Sequence, residues 1–114
     1  MRPEADRDGR DGEALHLVAL RDGVVIGTCR LVFDGPVARL GRMAVEQELR
    51  GHGVGAALLE EAERYAREAG SERIDLHAQT PAISLYSRCG FERRGELFVE
   101  EGIPHVSMEK QLGA

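Results

Sequence analysis

Three glycines at alternate positions, Gly51, Gly53 and Gly55, separate an apolar run from an amphipathic one, and this junction constrains the fold more than any other stretch. VARLGRMAV (Val37 to Val45) precedes it and reads as a strand. AALLEEAERYAREAG follows, and the helix it belongs to reads from about Gly53 to Ala69. A strand that hands over to a helix through glycines exposes unpaired main-chain N–H groups at the positive end of the helix dipole. Glycine lets that backbone approach a ligand closely, and the combination suits phosphate groups. The stretch Val45 to Ala56 is therefore the expected ligand site.

The remaining segments arrange themselves around this junction. Leu15 to Leu20 and Val24 to Phe33 read as strands joined at Arg21-Asp22-Gly23, a hairpin signal. Asp34-Gly35-Pro36 breaks the chain before Val37, so three antiparallel strands form a meander. In the helix, Val54, Ala57, Leu58, Ala62, Tyr65, Ala66 and Ala69 recur at helical spacing. Glu60 with Arg64 and Glu63 with Arg67 are acid-before-base pairs on its solvent side. Gly70 suits its C-terminal cap. A strand follows at Arg73 to Ala78, then a short helix opened by Thr80 and Pro81 and stopped by Gly90. Two last strands, Phe91 to Val99 and His105 to Leu112, close the chain. The expected order is β-β-β-α-β-α-β-β, an α/β (α+β) mixed, mostly antiparallel sheet with a helix on each face. Residues 1–13 are nearly all charged or Gly and read as a mobile arm, with 14–114 as a single domain.

Composition narrows the function classes. Net charge is −5 with the two signs interleaved, which argues against a general nucleic-acid binder. No stretch approaches the roughly 20 apolar residues of a membrane span. Cys29 and Cys89 have no metal-ligand spacing, so no metal site is expected; they read as reduced thiols of a cytoplasmic protein.

Three phosphate-loop chemistries compete for the glycine junction. A triphosphate P-loop needs Gly-Lys-Ser/Thr, whereas Val54-Gly55-Ala56 follow Gly53. A dinucleotide fingerprint is formally present in Gly51-His52-Gly53-Val54-Gly55-Ala56, with Asp75 downstream. Its first glycine should follow the strand at once, yet five residues intervene after Val45, and Asp75 falls mid-strand. That leaves NAD-dependent oxidoreduction as a weak alternative.

The third chemistry has a second motif behind it. Arg50-Gly51-His52-Gly53-Val54-Gly55 resembles the R/Q-x-x-G-x-G/A signature that binds the pyrophosphate of coenzyme A in the GCN5-related N-acetyltransferases. Gln79 to Phe91, QTPAISLYSRCGF, resembles that family's N-x-x-A-x-x-L-Y-x-x-x-G-F segment, with Gln79 at the usual Asn position. The GRMAV strand and the closing GELFVEEGIPHVSMEK segment look like the ElaA-like branch. The resemblance covers roughly Leu15 to Leu112. It implies acetyl-CoA as cofactor, held by Arg50, Gly51, His52, Gly53, Val54, Gly55, Ala56 and Gln79, with main-chain groups of Met43, Ala44 and Val45 bonding the pantetheine arm. It implies direct attack by a primary amine of a small molecule or peptide, with a strand N–H holding the oxyanion and Tyr86 protonating the departing thiolate. For Tyr86 the competing expectation is a core tyrosine. His77, near the end of its strand, is the leading general-base candidate. His105, Glu46 and ordered water are the others, His52 reads as a solvent or phosphate contact, and Cys89 as a small buried side chain.

One departure bears on the acceptor. The family domain usually begins with a strand and two helices that form much of the acceptor wall, and this chain has only a short, highly charged stretch before Leu15. The expected consequences are a bare edge at Leu15 to Leu20 and a homodimer completing the acceptor side, or a non-catalytic CoA-binding module that keeps the cofactor half alone.

Overall fold

A computed structural model describes residues 2–8 and 14–113. The apolar run Val37–Val45 is a strand with the limits its sequence sets. In chain order the elements are strands β1 (Arg2–Asp8), β2 (Ala14–Arg21), β3 (Val24–Asp34) and β4 (Val37–Val45), helix α1 (Val54–Glu68), strand β5 (Arg73–Gln79), helix α2 (Ile83–Arg88), and strands β6 (Glu92–Glu100) and β7 (Ile103–Gln111). They form one seven-stranded sheet in the order β1-β2-β3-β4-β5-β7-β6. The β4–β5 pair is parallel, as a helical crossover requires, and the other neighbours are antiparallel. Both Asp22-Gly23 and Glu101-Gly102 take positive φ at each residue, the turn geometry that matches strand twist in a two-residue hairpin.

Strand alternation selects one face for the core. Leu15, Leu17 and Ala19 of β2, Cys29 and Leu31 of β3, Ala38 and Leu40 of β4, and Ile74, Leu76 and Ala78 of β5 are buried against Val54, Leu58, Leu59, Ala62 and Ala66 of α1. Gly27 is small where α1 crosses β3: a Cβ there would lie 2.8 Å from a Val54 methyl. Both helices end in the same way. Gly70 and Gly90 take the left-handed conformation, Ser71 N–H donates to Ala66 and Phe91 N–H to Tyr86, so the last carbonyls are satisfied and the chain turns back toward the sheet.

Three expectations are corrected. First, the helices share one face instead of lying on opposite ones. Lys110 of β7 pairs with Glu63 of α1 and donates to the Cys89 carbonyl at the end of α2, and Leu85 of α2 lies against Gly55 of α1. The reason is legible in β5, whose single apolar row of Ile74, Leu76 and Ala78 is the one needing cover, while Asp75, His77 and Gln79 point the other way. Second, part of the charged N-terminal stretch is not an arm: Arg2–Asp8 pairs antiparallel with β2, from Arg2 opposite Leu20 to Asp8 opposite Ala14. An edge strand offers a row of unpaired N–H and C=O groups that any extended segment can satisfy, and Pro3 is tolerated because it stands at the sheet's edge. A strand therefore precedes β2, and the bare edge at Leu15 to Leu20 that motivated dimerisation is occupied. Residues 9–13, and the expectation of mobility for them, lie outside the described residues. Third, Arg64 pairs with Glu61 at 2.8 Å and Glu68 at 2.9 Å, not with Glu60; Arg67 pairs with Glu63 as expected.

Candidate functional site

The site begins where β4 and β5 part. Their parallel pairing runs from Val37 opposite Arg73 to Leu40 opposite Leu76 and stops there. Immediately beyond, Arg42 adopts φ +54, and Arg42 and Met43 together oppose the single residue Cys29 of β3. This is a β-bulge, and it bends β4 away from β5. It also resets the alternation, so that Met43 and Val45 pack against the core where Leu40 did. From Gly41 to Val45 the main chain thus has β3 on one side and, among the described residues, no strand on the other.

The glycine junction closes one end of this opening. Gln47–Leu49 makes one turn of 3-10 helix, and Gly51 and Gly53 both take φ +85, a conformation costly for any residue with a Cβ. Gly53 is the N-cap of α1, without a side-chain cap and with no acid in the first turn. The first helical bond is Ala57 N–H to Gly53 carbonyl at 3.0 Å, so the amides of Val54, Gly55 and Ala56 precede it and remain available to a ligand. Gly55 serves helix packing instead, since a Cβ there would stand 2.9 Å from Leu85; its smallness permits α1 and α2 to touch. The expected set is not uniform. His52 N–H donates to Leu49 at 3.2 Å, and Arg50 Nε donates to the Val45 carbonyl at 3.3 Å, tying the loop to the end of β4. Val54 is buried, so its side chain belongs to the core.

The opening is a cleft of about 1830 Å³ lined by Gly41 to Val45, Arg50, Gly51, Gly53, Gly55, Ala56, His77, Gln79, Tyr86, Glu100 and His105 among others. That exceeds the roughly 300–1,000 Å³ of an ordinary small-molecule pocket. Residues from both sheet faces line it: Glu63 and Lys110 from the helix face, Arg39 and Asp75 from the open one. The parting of the strands thus makes a passage through the sheet.

Tyr86 reaches this passage from the helix side. It is 5% exposed, packs edge-on against Phe91 at 5.9 Å, and its hydroxyl pKa is pushed up to about 12, chiefly by burial, with the neighbouring Cys29 and Cys89 thiols adding to the effect. It is both a core tyrosine and a cleft residue. Burial pushes the Cys29 thiol up to about 12 and raises Cys89 as well, so neither is primed as a nucleophile. Gln79 ends β5 at the rim, exposed, opposite His105. On the open face His77 Nδ1 lies 3.3 Å from Glu100, and Phe98 stands between the rings of His77 and His105. The fold brings Tyr86, His77 and the glycine junction to one cleft; Glu46 is not among the residues lining it. Sequence reasoning missed Glu100 and the bulge at Arg42. The short hairpin would have placed Glu100 near His105, but no local signal places it beside His77.

A family model described as an acetyltransferase (GNAT) domain matches residues 2–112. A Bacillus subtilis protein named as an acetyltransferase is 34% identical over 104 residues, covering 91% of this chain and 71% of that protein. The crystal structure of an N-acetyltransferase from Lactobacillus plantarum matches with a TM-score of 0.80 at 33% identity, over 93% of this chain and 75% of that one. Escherichia coli ElaA matches with a TM-score of 0.79 at 25% identity, again over 93% and 75%.

Proposed function

This chain belongs to the GCN5-related N-acetyltransferase family of acyl-CoA N-acyltransferases, and we propose that it transfers an acetyl group from acetyl-CoA to a primary amine, with Tyr86 as general acid and His77 as general base. The observation that carries this reading is the passage between β4 and β5, which joins an open helix N-terminus, an unpaired strand edge and a protonated phenol in one cleft.

The residues present fit the cofactor. The free first-turn amides of α1 and the absence of any acid there suit a diphosphate. The unpaired edge of Met43, Ala44 and Val45 suits the amide-bearing pantetheine arm, which would add to the sheet as a short strand does. Bound acetyl-CoA supplies the activated thioester. An N–H on the β4 edge stabilises negative charge at the reacting carbonyl. Tyr86, whose raised pKa keeps its hydroxyl protonated across the neutral range, donates that proton to the leaving sulfur as the carbon–sulfur bond breaks. His77 takes the proton that the amine nitrogen releases as its bond to carbon forms. Gln79 at the rim and Arg50 beside the loop hold the ends of the cofactor.

Thiol release from acetyl-CoA, followed with a panel of polyamines, aminoglycosides and lysine peptides, tests the reading. Release above the solvent rate with at least one amine is expected. Tight CoA binding in calorimetry without release across the panel would replace the enzyme by a CoA-binding module.

A further inference from the structure

The open face of the sheet carries a side-chain cluster that the proposed reaction uses only in part. His77 near the end of β5, Glu100 at the end of β6 and His105 on β7 converge there, although β7 lies between the other two strands. Glu100 therefore leans across a whole strand to reach His77. One carboxylate oxygen is 3.3 Å from His77 Nδ1 and the other 3.6 Å from His105 Nε2. Phe98 fills the space beneath, edge-on to His77 at 5.0 Å and stacked on His105 at 5.9 Å. Asp75, the other carboxylate on this stretch of β5, is engaged by Arg73 at 2.9 Å and does not compete for His77. Glu101, which also lines the cleft, lies in the hairpin turn.

These contacts determine where the ring protons sit. A neutral imidazole has one N–H and one lone pair, and an ionised carboxylate only accepts. The nitrogen facing Glu100 in His77 must then be the donor. His105 is held separately: its Nδ1 donates to the Ile103 carbonyl at 2.7 Å, and its Nε2, 3.6 Å from Glu100, is beyond hydrogen-bond reach, so the direct bond of Glu100 is to His77. We propose that Glu100 is a positioning residue that holds His77 as the Nδ1–H tautomer, so that Nε2 presents a lone pair to the amine in the cleft. The inference rests on His77 as general base; it adds the group that orients that base and selects its reactive nitrogen. Without Glu100 the ring is free to rotate and to take the other tautomer, the commoner one for an unrestrained histidine.

Long-range ¹H–¹⁵N spectra of the imidazoles, in the full chain at a pH where they are neutral, read the tautomer directly, with His77→Gln assigning the signal. Glu100 is half exposed, so Glu100→Leu and Glu100→Gln are expected to fold with unchanged circular dichroism and melting midpoint. In the parent protein His77 is expected as Nδ1–H. Glu100→Leu should convert it to Nε2–H and lower kcat about tenfold, part of the roughly 10²–10⁴-fold a general base contributes, with KM for acetyl-CoA unchanged. Glu100→Gln keeps an acceptor oxygen and should retain the parent tautomer and most of kcat. An Nε2–H signal in the parent, or an unchanged tautomer or kcat in Glu100→Leu, overturns the proposal. A parent protein that transfers to no amine yet shows the Nδ1–H signal, converted in Glu100→Leu, would remove the transferase reading and leave the Glu100–His77 contact standing.

Discussion

The face of the sheet beneath the helices carries Leu17, Leu31, Ile74, Val106 and Met108, each almost wholly buried, while the opposite face presents Arg39, His77 and Glu100 to solvent. The covered face holds the domain together and, through the start of α1, supplies the amides that suit a diphosphate. The open face supplies titratable groups on strands already rigid from the other side. Side chains that stabilise need to be removed from water, and Tyr86 is among them, whereas His77 stays half exposed on the open face. The parting of β4 and β5 opens both faces to one cleft.

This division can be broken or sharpened by substitution. The largest effect is expected at Leu58→Ala, which empties the space between α1 and Gly27 and should cost about 2–5 kcal/mol in denaturant unfolding. Tyr86→Phe keeps the packing against Phe91 but removes the proton. It should lower kcat about 100-fold with less than about a twofold change in CoA affinity, measured by thiol release and calorimetry. Equal turnover would confine Tyr86 to the core. Gly53→Ala forces a Cβ into φ +85 and should cost about 1–2 kcal/mol. It should also weaken CoA binding, because the first-turn amides shift with the cap.

Alkaline titration gives a further contrast. The Tyr86 hydroxyl rises from about 10 to about 12, and Cys29 from about 9 to about 12, both mainly through burial. The folded chain binds these protons more tightly than the unfolded one. Their contribution is therefore full below the unfolded values and is lost as pH rises from about 9 to about 12. Urea midpoints measured across that window should fall, and Cys29→Ala should flatten its lower part. The smallest effect belongs to the open face: Arg39→Ala removes an exposed pair with Asp34 and should leave the melting midpoint unchanged, since such pairs contribute little.

Much of this architecture was readable one segment at a time. The limits of β4, the stop of each helix at Gly70 and Gly90, and the Asp22-Gly23 turn follow from local rules, because glycine at positive φ and apolar alternation act within a few residues. The glycine junction was legible for the same reason, and so was Tyr86, through a second motif some 30 residues on. The partner of Arg64 was less so, because Glu60, Glu61 and Glu68 all lie within reach on the helix and only side-chain geometry chooses among them.

Local rules stop where two distant segments must meet. β1 carries no apolar periodicity, and its pairing with β2 is a matter of main-chain groups that every sequence has. The bulge at Arg42 depends on β3 opposing it, and the common face of α1 and α2 depends on which row of β5 needs cover. Glu100 reaches His77 only because β7 returns between β5 and β6 and sets the register of both. The sequence by itself determined the elements from β2 onward, their caps and the glycine junction, since each arises from the conformational preferences of neighbouring residues. The cleft and the titratable groups that line it were decided by tertiary structure, because their distances are set by strand order and register, which no single segment encodes.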